Sequence, residues 1–309
     1  LFLSSTNKKI NTAKALFDIG NQPTLGLFLN IQFIYKTPIM SPLKQAIKKA
    51  QATNRNLPFA IYTSAAEQRI YNIPITTPTL MVVLSGEKKL GKNSDIRCPE
   101  GNFIFLSTSP RVNMRNIPSK HEYLAIIIEF EFKDFEFLQQ PQKQQADYLL
   151  GKLDSTLEQT LHQFIEWSQF APESLWPLRR QEILQLLFYQ GYDNLYSIVK
   201  LPGIAHKVHQ HISNHFGASI NIAELCNELN MSESSLRRKL NAEGTSIQEI
   251  KDQIKLALAL HLLQTTFKPI GVIANHCGFQ SQSRFTAKFK SRFGLTPSDL
   301  RKTRVIDSG

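Results

Sequence analysis

Two runs near the C-terminal end hold the side chains best placed to do chemistry. Ser234, Ser235, Arg237, Arg238 and Lys239 form the first, and Gln282, Ser283, Arg284, Lys288 and Lys290 the second. Neither run pairs a nucleophile with a base. Their guanidinium, ammonium, hydroxyl and amide groups instead suit donation to phosphate oxygens and to the edges of bases in a groove. Leu236 and Leu240 recur one helical turn apart within the first run, and Phe285, Phe289 and Phe293 do so within the second. Apolar anchors at that spacing turn the polar side chains of the same helix outward.

Each run follows a similar upstream segment. Ile222-Ala223-Glu224-Leu225-Cys226 and Ile273-Ala274-Asn275-His276-Cys277 share three of five residues, 51 positions apart, while Ser232, Leu236 and Leu240 are echoed by Ser281, Phe285 and Phe289, 49 apart. Each copy reads as a short helix, a tight turn and a second helix opening at a serine, which is a helix-turn-helix built twice. In this reading Cys226 and Cys277 occupy matching positions on the first helices, as small buried residues. Met231 and Phe279 plug the turns, Gly278 allows a sharp exit, and Ser232 can accept an orphan N–H as an N-cap.

Between the two copies, Ile247, Ile250, Ile254, Leu258 and Leu262 mark one helix to about Gln264, and Leu256, Leu260 and Leu263 add a second stripe. A helix apolar on most sides is buried between two bodies, so this one reads as a strut. About 18 residues at 1.5 Å each span about 27 Å, comparable with the ~34 Å between successive major grooves on one DNA face. Residues 206–216 read as an introductory helix, Pro269 as the first residue of the next helix, Gly294 as a helix end, and Thr296-Pro297-Ser298-Asp299-Leu300-Arg301 as the start of a closing helix.

The formal net charge is +11, from 36 Lys and Arg against 25 Asp and Glu. From Lys200 onward 15 basic residues face 8 acidic ones, while residues 1–199 hold 21 and 17, so positive charge concentrates in the last third. A polyanion is the expected partner, nucleic acid ahead of a membrane surface. The 309 residues suit two domains, and a hydrophobic content of 42% argues against disorder. Cys98, Cys226 and Cys277 form no framework, which suits a reducing cytoplasm. No apolar run approaches the ~20 residues that cross a bilayer.

Upstream, residues 58–132 read as β-structure, with strong strands at Leu80–Leu84, Phe103–Leu106 and Tyr123–Ile128 punctuated by Ser85-Gly86 and Glu100-Gly101. A short helix is expected from Ser41 to about Ala52. After Asp134 the period becomes helical, with Leu149, Leu150, Leu153, Leu157, Leu161, Phe164 and Ile165 in one stretch and Ile183, Leu184, Leu186 and Leu187 in the next. This stripe could close the β-domain's own core or form a homodimer seam, and both readings stand open. Residues 192–203 look like a linker, and 1–39, which lack methionine before Met40, read either as an extension outside the folded protein or as a disordered or loosely packed arm.

Several other signals carry less. His206, His209, His211 and His215 invite a metal, but no further ligands converge on them in sequence, and none is assigned. His121 stands alone, and Glu129 and Glu131 lie two apart as a solvated face. No Ser-His-Asp order, P-loop or dinucleotide fingerprint is present, so neither catalysis nor a cofactor is expected. The rival class is a cupin-like catalytic domain tethered to DNA.

Residues 204–302 resemble the AraC/XylS family of bacterial transcription regulators. Carrying the resemblance are Ile273-Ala274-x-x-Cys277-Gly278-Phe279-x-Ser281, Phe285, Phe289-Lys290, Gly294 and Thr296-Pro297-Ser298, with Leu225, Met231-Ser232, Leu236, Arg238, Gly244, Ser246, Ala259 and Leu262-Leu263 in the first half. It implies seven helices with two recognition helices in adjacent major grooves. The pattern departs at Lys255, where Arg is usual, at Arg284, where an aromatic is common, and at Ala287. Base reading is therefore expected more from Ser234, Arg237 and Arg238 than from the second helix. The front domain is similar to a cupin-like sensor domain of one branch of the family, through Pro78-Thr79-Leu80, Val83-Leu84-Ser85-Gly86, Lys88, Gly101, Phe103, Tyr123-Leu124-Ala125, Arg180, Glu182-Ile183-Leu184 and Leu186-Leu187.

The expected architecture is α+β. A cupin-like β-barrel or sandwich with trailing helices occupies 40–195, a linker 196–203, and an all-α domain with two helix-turn-helix units 204–309. The expected function is that of a cytoplasmic, nucleoid-associated transcription regulator and activator. It would bind double-stranded promoter DNA and RNA polymerase, with effector sensing or self-association in front and no membrane partner.

Overall fold

A computed structural model describes residues 40–304, apart from residues 54 and 121 and the stretches 138–145, 193–194, 200–202 and 218–220. The expected extension at 1–39 and the lone His121 lie outside the described residues. Strand β3 (Thr79–Ser85) is buried along its whole length, and that fact organises the front domain. A strand covered on both faces needs apolar side chains at consecutive rather than alternate positions, which is why Leu80 to Leu84 is unbroken. Its even-numbered side chains, Leu80, Val82 and Leu84, enter one core, while Met81 and Val83 enter another.

Nine strands among the described residues form two facing sheets. One runs β1 (Ala60–Ser64), β8 (Tyr123–Glu129), β3, β6 (Asn102–Leu106), β9 (Tyr148–Lys152), and the other β2 (Gln68–Ile75), β7 (Ser109–Ile117), β4 (Glu87–Leu90), β5 (Ile96–Pro99). Every pairing is antiparallel. Met81, Val83, Ile104, Tyr123, Ala125, Leu90, Cys98 and Met114 fill the space between the sheets. The outer face of the five-stranded sheet is covered by helices α1 (Pro42–Gln51), α2 (Ser155–Ser168), α3 (Trp176–Tyr189) and α4 (Leu195–Ile198). Leu157, Leu161, Phe164, Ile165, Ile183, Leu184 and Leu187 are fully buried there, so the apolar stripe closes the domain's own core. Burial of each such side chain contributes roughly 1.5–3 kcal/mol.

Two expectations need correction. Leu149 and Leu150, counted into a helical stripe, lie in β9, paired with β6. Gly151 permits this, because a Cβ there would sit 2.2 Å from the Phe103 ring. The linker expected at 192–203, or more narrowly at 196–203, is shorter at its start, since α4 buries Leu195 and Ile198 completely and Ser107 Oγ donates to the Ile198 carbonyl at 2.6 Å.

The described residues of 204–302 carry seven helices: α5 (Ile204–Asn214), α6 (Ile222–Glu228), α7 (Glu233–Ala242), α8 (Ile247–Thr265), α9 (Ile270–His276), α10 (Gln282–Phe293) and α11 (Pro297–Lys302). The strut α8 divides its apolar residues between two cores. Ile250 and Ile254 pack with Val208, Leu225, Leu236 and Leu240, while Leu256, Ala259, Leu260 and Leu263 pack with Ile273, Phe285, Phe289, Phe293 and Leu300. Ile70 of β2 joins the second of these, so the front domain helps to close it. No helix among the described residues is long and apolar enough to cross a membrane.

Two buried charges have different partners. Arg180 Nε donates to Asp134 Oδ2 at 2.5 Å and Nη2 to Glu131 Oε1 at 2.8 Å, with the Asp134 side chain wholly buried. Glu131 thus belongs to an ion cluster rather than to a solvated pair with Glu129. Lys88 is 2% exposed, and its ammonium donates to Asn116 Oδ1 at 2.6 Å. Burial lowers its pKa to about 8.

Arg180→Ala should cost about 3–5 kcal/mol of unfolding free energy in a urea titration, because it strands Asp134. A loss below about 1 kcal/mol would mark the pair as energetically equivalent to a surface one. For Lys88 the unfolded chain titrates near 10.4, so between about pH 8 and that value the unfolded state holds more protons. Stability of the wild type relative to Lys88→Met should therefore rise with pH across this window, by roughly 3 kcal/mol in all. A difference independent of pH would contradict the buried ammonium.

Candidate nucleic-acid interface

Each helix-turn-helix is set by local backbone chemistry. Asn221 caps α6 by accepting from Ala223 N and Glu224 N, at 3.0 and 3.5 Å. The chain then turns through Asn230, at φ +51°, and Met231 N closes back on the Cys226 carbonyl at 3.0 Å. Ser232 caps α7, its Oγ accepting from Ser235 N. In the second unit Gly278 takes the left-handed position at φ +74°, Phe279 N closes on the Ala274 carbonyl at 3.0 Å, and Ser281 caps α10 by accepting from Arg284 N. Glycine is the residue that occupies such a φ without strain, with asparagine the usual alternative.

These turns revise the internal repeat. Ile222 and Ile270 open the first helices, Leu229 and Cys277 are their C-caps, and Asn230 and Gly278 are the left-handed residues, each pair 48 apart rather than 51. Cys226 therefore corresponds to Ala274, and the two cysteines do not match. A slip of three residues is close to one helical turn, so it keeps the same face inward and makes the sequence echo look structural. Pro269 is likewise the N-cap of α9 rather than its first residue.

The outward side chains of α7 are disposed as expected, with differences among them. Ser234, Arg237, Arg238 and Lys239 are exposed, whereas Ser235 is half-buried and shares the cap network of Ser232 at 3.0 Å. Arg237 forks onto Glu233 Oε1, through Nη2 at 2.6 Å and Nε at 2.9 Å. Arg238 and Lys239 make no ion pair among the described residues. On α10, Gln282, Ser283, Arg284, Lys288 and Lys290 are all exposed, and Phe285, Phe289 and Phe293 are fully buried beneath them. Successive rings lie 5.5 and 4.7 Å apart, edge to face, a geometry worth about 0.5–1.5 kcal/mol per pair beyond burial.

The strut adds residues that periodicity could not reveal. Asp252 accepts from Lys288 Nζ at 2.7 Å, and Lys255 Nζ donates to the Gly278 carbonyl at 3.1 Å while lying 5.9 Å from the Phe279 ring centre. A cleft of about 250 Å³ separates α8 from the second unit, lined by Gln248, Asp252, Lys255, Phe279, Arg284 and Lys288. Asp252 and Lys288 stand 36 residues apart, so nothing in the helical spacing connects them.

The histidines serve local packing. His206 meets the Phe132 ring at 4.6 Å between centres, and desolvation there lowers its pKa against a raising bond to Thr76. His211 pairs with Glu228, and His215 bonds to the His211 carbonyl at 2.9 Å. Among the described residues no three His, Cys, Asp or Glu side chains are grouped to hold a metal.

Comparison with known proteins places this geometry. A family profile described as a helix-turn-helix domain matches residues 225–303. The HTH-type transcriptional regulator GadX of Escherichia coli O6:H1 is 31% identical over 101 residues, 33% of this chain and 37% of that protein. The transcriptional regulator SirC of Salmonella typhimurium is 34% identical over 113 residues, 37% of this chain and 38% of that protein. The chain thus spans well under half the length of these relatives. The crystal structure of ToxT from Vibrio cholerae covers 82% of this chain and all of its own, with a TM-score of 0.59 at 17% identity, which shows a shared fold across both domains. Residues 225–303 of this chain are a helix-turn-helix domain.

Proposed function

We propose that this chain is a sequence-specific DNA-binding transcription regulator, acting as an activator, with a front domain that senses a small molecule or mediates self-association. The observation that carries the reading is the mounting of two recognition helices, α7 and α10, on one shared strut with their cationic faces exposed. Arg237, Arg238 and Ser234 would meet base edges and phosphates in one major groove, with Ser283, Arg284 and Lys288 in the next. Lys239, Lys290, Gln282 and Ser235 would contribute at the margins, Ser235 chiefly by holding the cap. Double-stranded promoter DNA and RNA polymerase are the macromolecular partners, the compartment is the cytoplasm at the nucleoid, and no catalytic step is assigned. The named regulators that share the C-terminal region support this reading.

The Glu233–Arg237 fork has a functional use in this account. It fixes a guanidinium on the exposed face of α7, so a guanine edge would meet a preoriented donor pair.

Enrichment of a random duplex pool by the full chain, followed by anisotropy titrations at several salt concentrations, tests the proposal. Arg237→Ala should reduce discrimination between the enriched sequence and random duplex by about 1–3 kcal/mol. An equal loss on all sequences, with a salt slope shallower by about one, would assign Arg237 to phosphate instead. Failure of the wild-type chain to enrich any sequence would overturn the proposal.

A further inference from the structure

A line of hydrogen bonds runs from the interior of the front domain to the closing helix α11, which packs beneath the second helix-turn-helix. Lys88 Nζ donates to Asn116 Oδ1 at 2.6 Å, Asn116 Nδ2 to Gln68 Oε1 at 2.9 Å, and Gln68 Nε2 to Thr303 Oγ1 at 2.7 Å. Thr303 Oγ1 passes its own proton to the Leu300 carbonyl at 2.6 Å. Lys88, Asn116 and Gln68 sit on the adjacent strands β4, β7 and β2, directly opposite one another in register, and each is 2% exposed. Thr303 is the C-cap of α11, and Leu300 of that helix packs against Phe285, Phe289 and Phe293 under α10.

The order of donors in this line follows from its first member. An ammonium can only donate, so it draws the Asn116 oxygen toward it and turns the Asn116 amide outward. That amide then selects the Gln68 oxygen, and the Gln68 amide selects Thr303. Rotating either carboxamide would break the bonds on both its sides, and buried polar groups left unpaired cost about 1–3 kcal/mol each. The line therefore has a preferred sense as well as a position.

Other contacts hold the same seam. Ala65 N and Ala66 N donate to the Thr303 carbonyl at 2.7 and 3.3 Å, Asn72 Nδ2 donates to the Arg292 carbonyl at 3.1 Å, and Ile70 completes the core under α10. These join β2 and the turn before it to the C-terminal helices but do not reach the space between the sheets. Tyr62, at the edge of the inter-sheet core, shares a hydrogen bond with His261 Nδ1 of α8 at 3.4 Å, whereas the line through Gln68 and Asn116 ends on an ammonium buried within that space.

We infer that Lys88, Asn116 and Gln68 are positioning residues that couple the inter-sheet interior of the front domain to the placement of the second helix-turn-helix through Thr303. The consequence for DNA rests on the proposed function above, whereas the coupling itself does not. Lys88 touches no residue of the DNA-binding domain in this line, so a purely local role for it would leave α11 and α10 undisturbed. Coupling free energies are reciprocal, so a change at Thr303 must also be felt at Lys88.

Amide hydrogen exchange on the full chain separates these cases. Lys88→Met should raise exchange at residues 297–303 by about fivefold or more, leaving α6 and α7 unchanged. Thr303→Val, at a half-buried site outside the sheets, should conversely raise exchange in Glu87–Leu90, and it keeps the test open if Lys88→Met does not fold. Both variants should also weaken binding to the sequence enriched by the wild type. Exchange changes confined to each variant's own domain would overturn the coupling. Coupled exchange in a wild-type chain that enriches no duplex would uphold the line and overturn the regulator reading.

Discussion

The division of α8 between two hydrophobic cores is the constraint on which the C-terminal region depends. A helix with one apolar stripe packs against one body and can rotate with it. Here Ile250 and Ile254 bind the first helix-turn-helix, and Leu256, Ala259, Leu260 and Leu263 bind the second. Since both cores use the same rod, neither recognition helix can turn without straining the other. The 19 residues of α8 span roughly 28 Å at helical rise, a length compatible with successive major grooves on one face of a duplex.

The second unit is also tied to the front domain. Ile70 from β2 closes the core under α10, Gln68 and Thr303 share a hydrogen bond, and the Tyr71 ring lies where a Cβ on Gly294 would stand. Gly294 thus answers two demands, a left-handed helix end at φ +81° and a close approach of an aromatic side chain. The first unit meets the front domain at separate points, through His206 against Phe132 and Thr76 and through Arg111 of β7 facing Glu249 of α8 at 4.0 Å. The two helix-turn-helix units are therefore held differently, the second sharing a hydrophobic core with the front domain and the first meeting it through polar and ring contacts.

Much of this was legible in the chain itself. Burial of β3 on both faces required an unbroken apolar run, and the anchors Leu236, Leu240, Phe285 and Phe289 mark the inner faces of both recognition helices. Serines at 232 and 281 announced the helix starts because capping is a local interaction. What escaped was either non-local or degenerate. Leu149 and Leu150 fit a helical period and a strand equally well, and only pairing with β6 decides between them. The register of the repeat slipped by three residues because periodicity reports a face, not a position. The Asp252–Lys288 pair, the line from Lys88 to Thr303 and the use of Ile70 all join residues far apart in the chain, where spacing carries no information.

The central claim is that α7 and α10 act as one rigid reader because α8 holds both. The most direct measurement is binding of the full chain to its enriched duplex before and after insertion of half a helical turn, about five base pairs, between the two contacted segments. A rigid pair should lose at least about tenfold in affinity, since one recognition helix would face the wrong side of the duplex. Unchanged affinity would mean that the two units read DNA independently, and the account of the strut would fail.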